Sequence, residues 1–276
     1  MLYVLGFSFE KNIIFTYMNL TTKILSRLAI SGLFFFAGCS DDSSNEPNPE
    51  PTEKTCQLTG LGEVSDGDAY NTTYTYDAAG NLITRTDPDG TISFTYENNL
   101  LTALSFGDDT AIVSYNGNSL PYRLDFNEDG ETYFYILRSE NNRYITFENH
   151  FEENGESMLI DVTNITYDAN GNVTSVVSED YDPEMDMLFE VGSVKNITHD
   201  NQRNPYIKSP ALMIYELLDG NEANLSVNNV VNYTYNYGSE RDVSNSYTYN
   251  EEGYPTQREE TGFSSPTYFN FSYSCN

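Results

Sequence analysis

One eight-residue phrase recurs along this chain and leaves few folds open to it. Residues 74–81 read YTYDAAGN, residues 165–172 read ITYDANGN and residues 247–254 read YTYNEEGY. Tyr74 and Tyr76 lie two apart, so on a strand both point to one face while Thr75 points to the other. Asp77 follows and can cap a turn through its side chain. Gly80 supplies the positive φ that a tight turn needs. Leu82, Thr84 and Thr86 then restart an alternating strand, Asp87-Pro88-Asp89-Gly90 forms a second turn, and Ile92, Phe94 and Tyr96 alternate again. The phrase therefore reads as the end of one strand, its turn and the start of the next.

Degenerate copies begin at Phe94 and Val113, 20 and 19 residues on; Leu124-Phe126-Asn127 falls out of step, and Ile145 and then Ile165 restore it at 21 and 20, a period near 20 that is two strands with their turns. The chain is expected to be mainly β: an antiparallel meander of hairpins forming a curled or half-barrel sheet, with one short helix near residues 209–219. Two stretches break the rhythm. EDYDPEMDMLFE at 179–190 reads as a longer loop. SPALMIYELLDG at 209–220 reads as the helix, with Ser209 as N-cap, Pro210 at N1 and Gly220 at the C-terminal cap. Leu212, Tyr215 and Leu218 share one of its faces. The tyrosines are expected to fill the concave side of the sheet in preference to forming a binding surface.

With 42 acidic and 13 basic residues, the formal net charge is −29. That balance opposes nucleic-acid binding and docking on anionic lipid through a basic patch. Tyr (23) and Phe (16) are abundant and Trp is absent, a sheet composition rather than a disordered one.

The N-terminus reads as an address. Lys23 and Arg27 precede an apolar run from Leu28 to Phe36, too short to span a bilayer, and Ala37-Gly38 supply small residues before Cys39. Residues 1–38 are therefore expected to be a signal peptide. Residues 1–17 fit no part of such a signal, and the expected start is Met18. Residues 39–54 are acidic, Pro-rich and without apolar groups apart from the cysteine, an extended tether. Residues 55–276 form a single β domain. The Phe36-Ala37-Gly38-Cys39 sequence resembles the lipobox of bacterial lipoproteins, which implies acylation of Cys39. Ser40-Asp41-Asp42 resembles the acidic run that directs lipoproteins of Bacteroidota-type bacteria to the outer face of the outer membrane; an undirected linker facing the periplasm is the alternative. Export implies an oxidising compartment, in which Cys56 and Cys275 are expected to pair; two buried free thiols are the alternative.

The Y-x-Y-D-x-x-G-N-L pattern at Tyr74, Tyr76, Asp77, Gly80, Asn81 and Leu82 resembles the YD (Rhs-type) repeat, and Tyr167, Asp168, Gly171, Asn172 and Val173 agree with it. Asn204-Pro205-Tyr206, Asn228-Asn229-Val230 and Tyr249-Asn250-Gly253-Tyr254-Pro255 look like motifs of surface lipoproteins of Bacteroidota-type bacteria. The resemblance implies a curled antiparallel sheet and no particular activity.

No catalytic constellation is legible. His199 stands in ITHD where other copies carry Tyr, and His150 has no second His nearby, so no zinc set and no cofactor are expected. No nucleophile elbow, Walker loop or H-E-x-x-H occurs. Asp125, Asn127, Asp129 and Gly130 match half of a calcium loop, but its twelfth position is Ile136, and a hairpin turn explains the same residues. Thr110, in Asp109-Thr110-Ala111, resembles an O-glycosylation acceptor of these bacteria. The expected function is a lipid-anchored, surface-exposed, non-enzymatic binding or scaffold module with a glycan or protein ligand. It would touch the membrane through its lipid only. The alternatives are an envelope or glycan-acting enzyme using carboxylates, and a structural subunit assembling through sheet edges.

Overall fold

The structure, a computed structural model, describes residues 55–128 and 131–275. The expected signal peptide, Cys39 and the tether lie outside them. Sixteen antiparallel strands run up and down in sequence order, from β1 (Cys56–Ser65) and β2 (Asp68–Tyr76) to β15 (Pro255–Thr261) and β16 (Thr267–Cys275). β1 pairs with β16, so the sheet is a closed barrel and not the curled or half-barrel sheet expected from the sequence. Closure removes both open edges, and with them the expected mode of assembly through sheet edges. Register was the missing information: Cys56 sits opposite Cys275 and Val64 opposite Tyr268. That pairing joins residues too far apart in sequence for any local pattern to announce it.

Burial alternates as the repeat dictates. On β2, Thr72 and Tyr74 are buried while Thr73 and Thr75 are exposed. On β4 (Gly90–Glu97), Ile92 and Phe94 are buried while Thr91, Ser93 and Thr95 are exposed. The outer wall carries hydroxyl pairs across neighbouring strands: Thr86 with Thr91 at 2.9 Å, Ser105 with Thr110 at 3.1 Å and Thr248 with Thr256 at 2.8 Å. Such pairs stabilise a sheet without charge.

Residues 179–190 are not a loop. Residues 179–182 end β11 (Val173–Asp182), 187–190 open β12 (Met187–Arg203), and 183–186 form the turn of this hairpin, in which Asp182 faces Met187. The acidic, Met-rich sequence carries no strong β-propensity, and pairing with β10 (Glu156–Tyr167) overrides it.

The helix α1 spans Pro210–Leu218. Ser209 occupies its N-cap position in an extended conformation but makes no side-chain cap bond, and Gly220 follows with φ +72°. Leu212, Ile214 and Leu217 are at most 2% exposed and join one core with Leu58, Tyr74, Phe94, Ile197 and Phe271 from the wall. Each such side chain contributes about 1.5–3 kcal/mol by leaving water. The segment between β12 and β13 (Asn228–Asn236) therefore folds into the barrel as a plug.

Candidate functional site

In an up-and-down barrel, alternate connections fall at alternate ends. The turns at 77–81, 168–172 and 250–254 thus share one end with Cys56, Cys275 and the plug connection. We call this the repeat end. The turns at 66–67, 154–155, 183–186 and 262–266 lie at the far end.

Each copy of the repeat makes the same local structure. The Asp77 carboxylate accepts from the backbone N–H groups of Ala79 (2.9 Å) and Asn81 (2.8 Å), and Gly80 has φ +88°. The Asp168 carboxylate accepts from Asn170 and Asn172, both at 2.9 Å, with Gly171 at φ +90°. Asn250 accepts from Tyr254 at 2.8 Å, with Gly253 at φ +81°. These bonds hold the Asp77 and Asp168 carboxyls below their ordinary range, chiefly through Asn81 and Asn172 respectively. The repeat tyrosine reaches back to the preceding strand: Tyr76 donates to the Leu58 carbonyl (2.8 Å) and Tyr167 to that of Tyr144 (2.9 Å). The recurrent Asp, Gly and Tyr are consumed by architecture.

The plug brings charge into the lumen. Glu216 on α1 is 3% exposed, accepts from the Asn224 amide at 2.6 Å, and is pushed up to about 8 by burial. Glu222 is pushed up to about 7 by burial. Asp219 and Glu63 are raised for the same reason, with Arg85 and Arg258 respectively opposing the rise. The Arg85 guanidinium lies 4.1 Å over the Tyr215 ring and that of Arg258 3.7 Å over Phe269. These side chains were not legible as a site, because β1, β3 (Leu82–Asp87) and β15 meet the helix only after closure. Their carboxylates line neither of two small cavities in the barrel. One, of about 10 Å³, is bounded by Tyr206, Tyr247 and Arg258. The other, of about 120 Å³, opens at the repeat end between Asn81, Tyr96, Asn99, Tyr115, Lys208 and Ser209.

Apart from Cys56 and Cys275, the sequence candidates are not brought together. Cys56 and Cys275 are bonded, with Cα atoms 4.0 Å apart, at the barrel's closing seam. Asp125 on β7 (Arg123–Glu128) accepts from Arg123 at 2.7 Å, in a hairpin with β8 (Glu131–Glu140); the Asn127 side chain and Asp129 lie outside the described residues. Thr110 is exposed beside Ser105. His150 stacks on Phe134 at 4.7 Å, and His199 meets Ser226 of the plug at 2.9 Å, its pKa lowered by burial. The one trio of described residues arranged closely enough for a metal is Cys56, Cys275 and Glu252, and its sulfurs are spent in the disulfide.

The RHS Repeat family model matches residues 61–92 and 76–111. No curated protein matches the chain. The fold is similar to that of a porin-like protein from Bacteroides uniformis, at 13% identity and TM-score 0.53, covering 82% of this chain and 98% of that one. It is also similar to a porin-like protein from Bacteroides vulgatus, at 13% identity and TM-score 0.52, covering 80% and 99%. This chain thus carries RHS-type repeats in a closed antiparallel barrel whose fold is similar to that of these two proteins.

Proposed function

We propose that this protein is a lipid-anchored component of the outer-membrane surface that works as a non-enzymatic binding or scaffold module, with its barrel standing in water. One observation carries the reading: the lumen is filled by the plug while the outer wall is lined with hydroxyls. A membrane barrel needs the reverse, an apolar outer band. The porin-like neighbours raise the idea of a channel, and the packed helix with its fully buried leucines argues against it. The buried carboxylates Glu216 and Glu222 are packed among plug and wall side chains, which speaks against the enzyme reading, since general acid–base work needs room for substrate beside the acid.

The anchor reading rests on Cys39 and the small residues before it, and on the acidic tether that follows. The described chain begins at the repeat end, which supports a reading in which that end is nearest the lipid and the far end outermost. Thr110, exposed on the outer wall, is our candidate for glycosylation. The test pairs two measurements. In planar bilayers the protein is expected to give no conductance steps, and Cys39→Ser is expected to move it from the membrane to the soluble fraction. Discrete ion-conducting steps, or membrane retention of the Cys39→Ser protein, would overturn the reading.

A further inference from the structure

Most of the exposed apolar side chains of this barrel lie towards the far end, with Leu100, Ile112 and Val227 as exceptions. The largest group lies on β10, on β12 and in the turn before β12, within a flap formed by β9 (Arg143–Glu153), β10, β11 and β12; β12 runs past its neighbour β13, whose pairing begins only at Ser193. Burial along one face shows the extension. Phe147 on β9 and Ile165 on β10 are 7% and 3% exposed, whereas Met158, nearer the end on the same face of β10, is 50% exposed. Met187 and Phe189, two apart on β12 and so on one face, are 49% and 42% exposed. Ile160 and Val191, at register shifts of β10 and β12, and Met185, in the turn between β11 and β12, are 38%, 38% and 61% exposed nearby. Flexible Met side chains suit a surface that moulds itself to a partner.

The same flap carries charge of one sign. Between His150 and Lys195 there is no basic residue, while Glu153, Glu156, Asp161, Asp180, Asp182 and Glu184 all fall there. Asn149, Asp161, Asp180 and Phe189 are successive register partners across the four strands, so two carboxylates lie in line with the exposed ring. Asp161 accepts from the Asn149 amide at 2.9 Å. Burial raises its pKa first and the Asp180 charge adds to that, with His150 opposing. Lys195, which ends the acidic stretch, is taken by Glu190 at 3.0 Å.

We propose that this flap is a docking surface for a cationic amphipathic peptide segment, whose apolar face covers Met187, Phe189 and Met158 and whose Lys or Arg groups meet Asp161 and Asp180. Charge complementarity selects this occupant. An anionic bilayer would be repelled by the acidic rim, and a second copy of the flap would set like charges against each other. The inference rests on the binding-module reading and names its surface and ligand chemistry.

The test uses the full chain carrying Cys39→Ser, which needs no detergent, and fluorescence anisotropy with two labelled synthetic peptides of equal charge. One alternates Leu and Lys at helical period; the other replaces every Leu by Ser. The Leu/Lys peptide is expected to bind at least about tenfold more tightly than the Lys/Ser peptide, and Met187→Ser/Phe189→Ser is expected to weaken it by about tenfold without changing the charge. Asp161→Asn/Asp180→Asn should weaken it as well and flatten its salt dependence. Met185→Ser, in the exposed turn, provides a milder variant should the double substitution fail to fold. Equal affinity for the two peptides, or Leu/Lys affinity indifferent to the apolar variants, would reduce the effect to attraction by a chain of net charge −29 and overturn the proposal. So would flap-dependent binding to zwitterionic vesicles in place of the peptide. None of these failures bears on conductance or on release by Cys39→Ser, so the broader reading stands or falls separately.

Discussion

Gly171 shows how much of the repeat is backbone geometry. Its φ of +90° is one that L side chains rarely adopt, and an added Cβ would fall 2.6 Å from Cζ of the Arg143 guanidinium. Gly171→Ala is expected to destabilise the barrel by about 1–2 kcal/mol, measured by urea unfolding. Tyr167→Phe deletes the bond to the Tyr144 carbonyl and is expected to cost about 1 kcal/mol. The Asp168 carboxyl has a depressed folded-state pKa. Its contribution is therefore present above the unfolded value and is lost as pH falls through the folded one. Asp168→Asn, which keeps an acceptor oxygen, should lower stability at neutral pH and remove that acid-side loss; identical pH–stability curves for the two proteins would count against this account. Asp and Gly were readable as turn residues from their spacing alone. The reach of Tyr167 to the preceding strand was not, because it depends on which strand lies beside it.

The helix α1 is an element whose ends were legible and whose place was not. Ser209, Pro210 and Gly220 marked its limits, and its apolar face promised packing on a sheet. Only the closed wall turned that packing into a plug and buried Glu216 among Tyr74, Tyr206, Arg85 and Arg258. A carboxyl whose folded pKa is raised to about 8 holds its proton in the folded chain while the unfolded chain releases it near its ordinary value. Stability from this group is thus fully present at acid pH and declines as pH rises from about 4.5 towards 8. Glu216→Gln is expected to flatten that decline and to be the more stable protein at pH 9, read from urea midpoints at pH 5 and pH 9. A midpoint gap that does not change with pH would refute the assignment. The β11–β12 hairpin makes the converse point: residues 179–190 looked like a loop because their composition is acidic, yet neighbouring strands recruit them.

At the scale of the whole molecule, the seam between β1 and β16 decides the architecture. The Cys56–Cys275 bond joins residues 219 apart in sequence. Constraining a loop of that length is worth at most about 5 kcal/mol by chain entropy, and often less. Cys275→Ser is expected to lower Tm and to raise the oligomer fraction in size-exclusion chromatography, because an opened seam exposes two strand edges. Unchanged Tm and an unchanged monomer peak would mean that the strand pairing alone holds the seam.

The sequence by itself determined the strand rhythm, the turn chemistry, the inward tyrosines and the position of one helix. Each follows from contacts among residues close in sequence, where alternation, positive φ and capping act directly. The tertiary structure alone decided that sixteen strands close, that every repeat turn falls at one end, that the helix enters the lumen, and that an acidic apolar flap is left exposed at the other end. Those outcomes depend on register summed around the whole sheet and on pairing between its two termini. No local pattern carries that sum.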